Sequence, residues 1–372
     1  MVSAPPRALI KSCPEDFVVE EVPAYEPSGQ GEHVFVRFTK RGLTTLEAVA
    51  RLGKALGCDP REAGFAGMKD KQAVATQTVS FHAPRGIDPR DIVAKARTTA
   101  VEDITVADAT PHPHKLKPGH LRANRFSIAL RELDRARLPE IAAAFERIAR
   151  EGVPNRFGRQ RYGARGDNVA RALAWLRGEE RGPRDPRRMR LLWSAVQSEV
   201  FDAVLAARVA DGTWTAPLAG DLLKLHESGG MFPCTDPSVD RSRAVTGELS
   251  PTGPIVGARM RWPEGDVLAL ERRISASVLG EGFDLDRTRR LGEGTRRALR
   301  MWARDLRFEP APCHSMGDTG HRAPSMWVHF MLTKGAYATT VLEAAVTPEE
   351  PGSGDRGNVD PEEASEPVSD GP

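Results

Sequence analysis

The chain has 372 residues, of which 40% are hydrophobic and 28% are charged, with a formal net charge of +2. This composition is that of a soluble globular protein, and the length exceeds the size at which a single core usually stops growing, so we expect two domains. No apolar run is long enough for a transmembrane helix, and the first residues lack the apolar core of a signal peptide. We therefore expect a cytoplasmic protein that does not contact a membrane.

The charge is distributed unevenly along the chain. From residue 348 onward there are eight acidic residues and one arginine, a net charge of −7, which leaves +9 on residues 1–347. The tail has no aromatic residue and no leucine, so it cannot bury enough surface to offset its ordering entropy, and we predict that it is disordered. The basic body is typical of a protein that binds a polyanion.

The first 152 residues predict alternating strands and helices. Segments rich in Val and Phe indicate strands. The clearest helix has a capping box, formed by Thr44 and Glu47, and a glycine suited to its C-terminal cap, Gly57. The predicted elements in this part are strands at 16–22, 32–40, 77–81 and 124–133 and helices at 44–57 and 139–152.

The sequence pattern changes after Gly152, from alternating strands and helices to a mainly helical one. A helical middle section is predicted, with a glycine- and proline-rich stretch inside it, followed by a closing strand and helix. The predicted elements are helices at 166–178, 188–211 and 285–300, a strand at 325–335 and a helix at 336–346. Strands first, helices in the middle and a final strand–helix pair indicate an α+β protein whose middle section is inserted into the first domain.

The stretch GFAGMKDKQAVATQTVSF at 64–81 places Asp70 between Lys69 and Lys71, just before an alternation typical of a strand. A solvated surface ion pair accounts for this pattern, and so does an aspartate kept ionised for catalysis. In an extended backbone the adjacent lysines point away from Asp70, so a cation from elsewhere, such as Lys11, is better placed to favour its charged form. Spacing alone leaves both interpretations open.

The segment HPHKLKPGHLRANRF at 112–126 combines basic residues and histidines with Asn124 and Phe126. Cations contact phosphates, a ring can stack on an extruded base and an amide can bond to a base edge, so this segment suits RNA. Phe126 also shares a strand face with Ile128, which makes a core position the alternative. The histidines have no neighbouring cysteine or carboxylate suited to zinc, so we expect no metal.

The segment GVPNRFGRQRYGARGDN at 152–168 interleaves arginines, among them Arg156 and Arg159, with glycines and two aromatic residues. Guanidinium groups and rings on a flexible loop are favourable for RNA backbones and bases. An arginine-rich surface loop without such a role is the alternative. The cysteines are scattered and lack metal-site spacing, so we expect reduced thiols.

Taken together, these motifs resemble the TruD family of tRNA pseudouridine synthases. The resemblance covers nearly the whole chain up to about residue 347, and the order and spacing of the motifs make it specific. The segments that carry it are KSCPEDFVVEEVPAYEPSGQGEH at 11–33, KRGLTT at 40–45, FAGMKDKQAVATQ at 65–77, HKLKPGHLRANRF at 114–126, GVPNRFGRQRYG at 152–163, LWSAVQSEVF at 192–201, PTGPIVG at 251–257, RRALRM at 296–301 and LTKGAYATTVLEAAV at 332–346.

The resemblance implies an α+β pseudouridine-synthase fold with a mixed, mostly antiparallel sheet and an inserted TRUD domain. The expected domains are the first part of the catalytic domain at 1–153, the TRUD domain at 154–298, the closing strand and helix of the catalytic domain at 299–347 and the disordered acidic tail at 348–372.

The resemblance also implies that the protein, which we expect to be a monomer, isomerises uridine 13 of tRNA to pseudouridine without cofactor or metal. Asp70 matches the catalytic aspartate of the family, and Lys11 matches a lysine that would keep it ionised. Phe126 matches a residue that would hold the target base by stacking, and Asn124 matches one that would orient the loop or the base, although Ala123 stands where the family usually has glycine.

The other expected substrate contacts are Lys69, Arg125, Arg156 and Arg159, whose cations would meet the RNA. Arg156 replaces an aromatic residue of the family pattern, which puts any role of that ring in doubt. Gln72 replaces a common histidine, and we assign it no role.

Two other functions are compatible with parts of this pattern. A catalytically silent RNA-binding or RNA-folding factor would keep the basic surfaces, but the intact Asp70 argues against it. A metal-dependent RNA hydrolase would need paired carboxylates or a cluster of ligands, and the sequence offers neither.

Overall fold

The structure is a computed structural model, and it describes residues 4–163, 166–311 and 323–351. In chain order the strands are β1 (Arg7–Leu9), β2 (Phe17–Pro23), β3 (His33–Arg41), β4 (Gly64–Phe65), β5 (Val74–His82), β6 (Ile104–His112), β7 (Leu121–Leu130), β8 (Val153–Pro154), β9 (Leu222–Leu225), β10 (Met231–Pro233), β11 (Leu249–Ile255), β12 (Thr295–Ala298), β13 (Arg300–Met301), β14 (Arg304–Ala311), β15 (Ser325–Thr333) and β16 (Thr347–Glu349). The helices are α1 (Thr45–Leu56), α2 (Pro89–Thr98), α3 (Leu138–Glu151), α4 (Asn168–Arg177), α5 (Pro186–Ala210), α6 (Pro237–Val245), α7 (Gly265–Leu279) and α8 (Ala338–Glu343).

The chain divides into two compact units. The first runs from the N-terminal residues to Ala149 and resumes at Ala303–Ala338 and from Leu342 onward, and the second is Arg150–Trp302 with Thr339–Val341. The second unit therefore interrupts the first in sequence. Its boundaries lie a few residues outside the 154–298 expected for the inserted domain.

The first unit is built on a sheet with the strand order β14-β15-β7-β2-β5-β3-β6, and β4 also pairs with β5. Strands β2 and β5 run parallel, and the other pairs described in this sheet are antiparallel. This mixed, mostly antiparallel sheet with helices confirms the predicted α+β class.

One face of this sheet is closed over a hydrophobic core. In β3 the side chains of Val34, Val36 and Phe38 alternate onto that face and are fully buried, together with Leu52 of α1 and Phe81 of β5. Because side chains alternate along a strand, Lys40 continues the same row. Asn124 and Phe126, which are described below, lie on this face.

Helix α1 begins and ends as the sequence predicts. The Thr44 hydroxyl accepts from the N–H of Glu47 at 3.1 Å, and the Glu47 carboxylate accepts from the N–H of Thr44 at 2.7 Å, which completes the capping box. Gly57 ends the helix with a φ of +79°, a left-handed conformation that glycine adopts without strain.

The second unit has its own sheet, in the order β10-β9-β11-β12, beside the long helix α5. The prediction of a helix at 285–300 is wrong, because Leu285–Thr288 forms a 3-10 turn and strand β12 follows it. Gly294 adopts a φ of +86°, which does not continue a right-handed helix. Arg296 is held in the strand by a buried bidentate ion pair with Glu271, at 2.7 Å for both bonds.

The two ends of the described chain meet in the first unit. Strand β16 pairs in parallel with β1, and the carbonyl of Glu349 accepts from the N–H of Ile10 at 2.8 Å. The prediction of disorder is therefore wrong for Pro348 and Glu349, where backbone pairing compensates for the missing apolar side chains. The rest of the predicted tail, from residue 352, lies outside the described residues.

Within the described ranges, no helix has the length and apolar character needed to cross a membrane.

Candidate active site

Asp70 lies in an irregular loop, residues 66–73, which joins β4 to β5. Two contacts fix the loop on either side of the carboxylate. The N–H of Lys69 donates to Thr45 Oγ1 at the start of α1, at 2.9 Å, and Lys40 Nζ donates to the carbonyl of Asp70 at 2.7 Å. The loop is thus tied to the first turn of a capped helix and to a central strand.

The structure brings Lys11 to Asp70. Lys11 Nζ lies 3.6 Å from Asp70 Oδ2, and it also contacts Glu350 Oε1 at 2.8 Å. The Lys11 side chain is 11% exposed, whereas that of Asp70 is 55% exposed. The carboxylate is therefore accessible to a ligand and has a largely buried cation close to it. Lys11 itself has a φ of +54°, a conformation that is uncommon outside glycine and recurs at functional sites.

The lysines adjacent to Asp70 bind other acids. Lys69 Nζ forms an ion pair with Glu21 at 2.7 Å, in which both side chains are buried, and Lys71 Nζ lies 3.6 Å from Glu47. The expectation that Lys69 contacts substrate is not supported, because its ammonium is enclosed in this pair. Its contribution is to fix the chain just before Asp70.

Lys40 is a fourth lysine at this site, and it is fully buried. Its ammonium donates to two main-chain carbonyls, of Leu43 at 2.6 Å and of Asp70 at 2.7 Å. Burial lowers the pKa of Lys40 from its ordinary value to about 8, the charge of Lys69 lowers it too, and Asp70 and Glu47 act in the opposite direction.

Phe126 lies in a cluster of three aromatic rings. It stacks on Phe330 with centroids 5.4 Å apart, and it meets the edge of Phe17 at 6.1 Å. Lys11 Nζ lies 4.8 Å from the centroid of Phe17, so the cluster adjoins the Lys11–Asp70 pair. Phe126 is only 7% exposed, which favours the alternative of a core position for most of its ring.

Asn124 and Arg125 lie on opposite faces of the sheet. Asn124 pairs with Glu21 across β7 and β2 and so shares the face of the Lys69–Glu21 pair, and its buried Oδ1 has no hydrogen-bond partner among the described residues. Arg125 projects from the other face, where it binds Glu20 at 3.0 Å. The structure does not place Arg125 with Asp70, and its expected contact with the RNA stays a prediction.

Arg156 and Arg159 belong to the second unit. Arg156 is exposed and precedes Phe157, whose N–H donates to the carboxylate of Asp202 at 3.1 Å. Tyr162 also donates to Asp202, at 2.6 Å, so this carboxylate anchors the loop from both sides. The side chain of Arg159 lies outside what the structure describes.

Four residues at this site were not predicted from the sequence: Phe17, Glu21, Lys40 and Phe330. The alternation of side chains along β2 and β7 could have placed Glu21 on the same face as Asn124, once the pairing of these two strands was known. Lys40 carried a signal of its own, because it is a charged residue that continues the buried alternation of β3.

A metal site is not formed by the described residues, in which no three His, Cys, Asp or Glu side chains are grouped to hold an ion. Cys13, Cys58 and Cys234 are free thiols, and Cys313 lies outside the described ranges.

Comparison with known families identifies the chain. The family model described as tRNA pseudouridine synthase D (TruD) matches residues 4–180 and 185–344. The chain belongs to the TruD family. The motifs at 11–33, 65–77 and 114–126 are thus segments that the fold brings together around Asp70.

Relatives of the TruD family match over most of their length. The chain is 43% identical over 341 residues to tRNA pseudouridine synthase D of Anaeromyxobacter sp. (strain Fw109-5), covering 90% of each chain. It is 38% identical over 337 residues to tRNA pseudouridine synthase D of Chromohalobacter salexigens, covering 89% of this chain and 90% of the relative.

A solved structure assigned to TruD of Methanosarcina mazei superimposes with a TM-score of 0.70 at 20% identity, covering 93% of this chain and 95% of that one. This likeness confirms the predicted pseudouridine-synthase fold.

Proposed function

We propose that the protein isomerises uridine 13 of tRNA to pseudouridine, with Asp70 as the catalytic group and without cofactor or metal. That it is a tRNA pseudouridine synthase, an isomerase, follows from its membership of the TruD family. The observation that carries the proposal is the exposed Asp70 carboxylate, held 3.6 Å from the ammonium of Lys11 at the edge of an aromatic cluster.

The reaction moves the uracil ring without adding or removing atoms. The bond between C1′ and N1 breaks, the ring turns, C1′ bonds to C5, the C5 proton leaves and N1 gains a proton. Asp70 starts this sequence as a nucleophile or as a base, and both roles require an ionised carboxylate. Lys11 supplies a largely buried positive charge 3.6 Å from this carboxylate, whose own side chain is 55% exposed to substrate and solvent.

The target base must leave the RNA stack to reach Asp70, at a cost of a few kcal/mol. The unpartnered Oδ1 of Asn124 suits the N3–H donor of uracil. The narrow exposed part of Phe126, with Phe17 and Phe330 beside it, offers an apolar edge to the ring.

The second unit is proposed to be the inserted TRUD domain and to bind the tRNA backbone. Arg156, which is exposed, is a candidate phosphate contact, and Arg159 remains one from the sequence. On this proposal the protein acts as a monomer.

The decisive variant is Asp70→Asn. We expect pseudouridine formation in a tRNA transcript to fall at least 100-fold, because the amide is neither base nor nucleophile, while tRNA affinity is retained. Tritium release from transcripts with [5-³H]uridine measures product, and filter binding measures affinity. The matched control is Asp103→Asn, an exposed aspartate with a φ of +60° that asparagine tolerates.

Two further outcomes separate the alternatives. If the wild-type protein binds tRNA and forms no product, the RNA-binding factor is the better interpretation, and if product forms at a position other than 13, the site assignment is wrong. Full activity in a chelator excludes a metal-dependent reaction, whereas activity that stops in a chelator contradicts the proposal.

A further inference from the structure

Lys40 occupies a position where the fold offers burial for an apolar side chain. The residues before it on the same face of β3 are Val34, Val36 and Phe38, and all four side chains are fully buried. Across the sheet, the neighbours of Lys40 are Ala75 and Ile104. The local pattern thus predicts a hydrophobic residue, and the chain has a lysine.

The burial of this ammonium is unfavourable for stability. No carboxylate among the described residues forms an ion pair with Lys40, and its ammonium donates to the carbonyls of Leu43 and Asp70. Burying a charge without a paired counter-charge costs free energy, and an apolar side chain of similar volume is often as stable or more stable. Packing therefore gives no reason for a lysine here.

We propose that Lys40 is a positioning residue for the isomerisation: its buried ammonium holds the main chain of Asp70 and places a fixed positive charge beneath the catalytic carboxylate. The inference rests on the proposed role of Asp70. It adds a second cation to the site, since Lys11 contacts the side chain of Asp70 and Lys40 its backbone.

The loop needs such a contact because it has no regular secondary structure. Within the loop, a bond from the N–H of Ala73 to the carbonyl of Lys71 turns the chain after Asp70. The hydrogen bond from Lys40 fixes the carbonyl of Asp70 itself, and displacement of a catalytic group by about 1 Å can cost on the order of 100-fold in rate.

The charge of Lys40 is sensitive to pH in the range where the enzyme can be assayed. The charged groups that face it are Asp70 and Lys69 from the loop and Glu47 from α1. With its pKa at about 8, Lys40 loses its proton as the pH rises above that value. The neutral amine can still donate both hydrogen bonds to the carbonyls of Leu43 and Asp70. Raising the pH therefore removes the charge of Lys40 without removing the contacts that position the loop.

The test compares Lys40→Met with Val36→Ala, a change at another fully buried position on the same face of β3. We expect Lys40→Met to lower kcat on the order of 100-fold with KM for tRNA unchanged. In the wild type, kcat should fall as the pH rises through about 8, and this step should be absent in Lys40→Met. Val36→Ala should be less stable but keep the wild-type kcat and pH profile below its melting temperature.

As the pH rises above about 8, the contribution of Lys40 to the free energy of unfolding should increase while kcat falls. The pKa of Lys40 is lower in the folded protein, about 8, than its ordinary value of 10.5, so between these values the unfolded chain binds more protons. The free energy of unfolding of the wild type should therefore rise with pH across this window relative to that of Lys40→Met. Urea unfolding at several pH values measures it, whether or not the variant is active.

The outcomes distinguish this inference from the proposed function. If Asp70→Asn is inactive while Lys40→Met keeps the wild-type kcat and its alkaline step, the role of Lys40 is overturned and that of Asp70 stands. If Asp70→Asn is fully active, the proposed mechanism fails and the role of Lys40 fails with it. If Lys40→Met loses kcat no more than Val36→Ala does, Lys40 has only a structural role.

Discussion

Asp70 lies among four lysines, and each of them has a different partner. Lys11 contacts the carboxylate, Lys40 the main-chain carbonyl, Lys69 the buried Glu21, and Lys71 a carboxylate of α1. The two lysines next to Asp70 in sequence are the ones that do not bind it. The basic character of this segment therefore contributes to the shape of the loop more than to the direct pairing of Asp70.

Strand parity gives a test at the level of single residues. Asn124→Ala should lower activity about tenfold or more, because it removes a buried acceptor on the face of the Lys69–Glu21 pair, where a group of this kind contributes on the order of 1–3 kcal/mol. Arg125→Ala, one residue away on the other face, should leave kcat unchanged. Single-turnover kinetics on a tRNA transcript measure both.

The comparison of Asn124→Ala with Arg125→Ala can contradict this assignment of the two faces. If Arg125→Ala loses kcat as strongly as Asn124→Ala does, the other face of the sheet takes part in the reaction. A loss confined to KM would instead mean that Arg125 contributes to general attraction of the RNA backbone, which weakens with salt.

Some site residues could be predicted from the sequence, and others could not. The alternation of β7 places Asn124 and Arg125 on opposite faces without any structure. The partner of Lys69 was not predictable, because Glu21 is 48 positions away and reaches it only after β2 and β5 have paired. The role of Lys11 came from the family resemblance, since its spacing from Asp70 says nothing about contact.

Elements with strong local signals were predicted close to their observed bounds. Helix α1 has both caps in its sequence, and β3 and β7 alternate clearly. Strands β6 and β14 were missed because they are at the edges of the sheet and carry exposed charged residues. Their pairing partners specify them more than their own sequences do.

The junction between α1 and the Asp70 loop gives a test at the level of elements. Thr45 Oγ1 accepts from the N–H of Lys69 and donates to Gln77 Oε1 at 3.1 Å, and the residue is almost fully buried. Thr45→Val keeps the shape and removes both bonds, so we expect a loss of about 1–3 kcal/mol in the free energy of unfolding and a lower kcat. Urea denaturation and tritium release measure the two effects.

The control for this variant is Thr45→Ser, which retains the hydroxyl. It should stay close to the wild type in kcat, although it loses a buried methyl group. A Thr45→Val protein with wild-type stability and kcat would mean that the loop does not depend on α1 for its position.

At the scale of the whole molecule, the α+β class and the insertion of a middle unit could be inferred from the order of the elements. The inner architecture of the second unit could not, because its glycine- and proline-rich stretch hides β9, β10 and β11. The two prolines and the single glycine of β11 are buried, although such residues are usually found in turns. Tertiary pairing with β9 and β12 overrides that preference.

The pairing of the chain ends predicts the effect of truncation. A chain that ends at Val346 lacks β16. It therefore loses the strand that pairs with β1, and β1 lies just before Lys11 in the sequence. We expect this chain to have a lower melting temperature and a kcat reduced at least tenfold, the order expected when a catalytic neighbour is misplaced. A chain that ends at Pro351 keeps the strand and should match the full-length protein in both measurements.

The full-length Glu350→Gln variant controls for the loss of the Glu350–Lys11 ion pair in the shorter chain. If the chain ending at Val346 is as active as the one ending at Pro351, the pairing of β1 with β16 does not position Lys11.

The same pairing sets an order of events during translation. Strand β1 leaves the ribosome first, but residues 347–349, which hydrogen-bond to it, are among the last described residues to be synthesised. A nascent chain can therefore form the Asp70 loop long before Lys11 is anchored beside it. Full activity should therefore appear only after residues 347–349 have left the ribosome, and shorter ribosome-bound chains should modify tRNA more slowly.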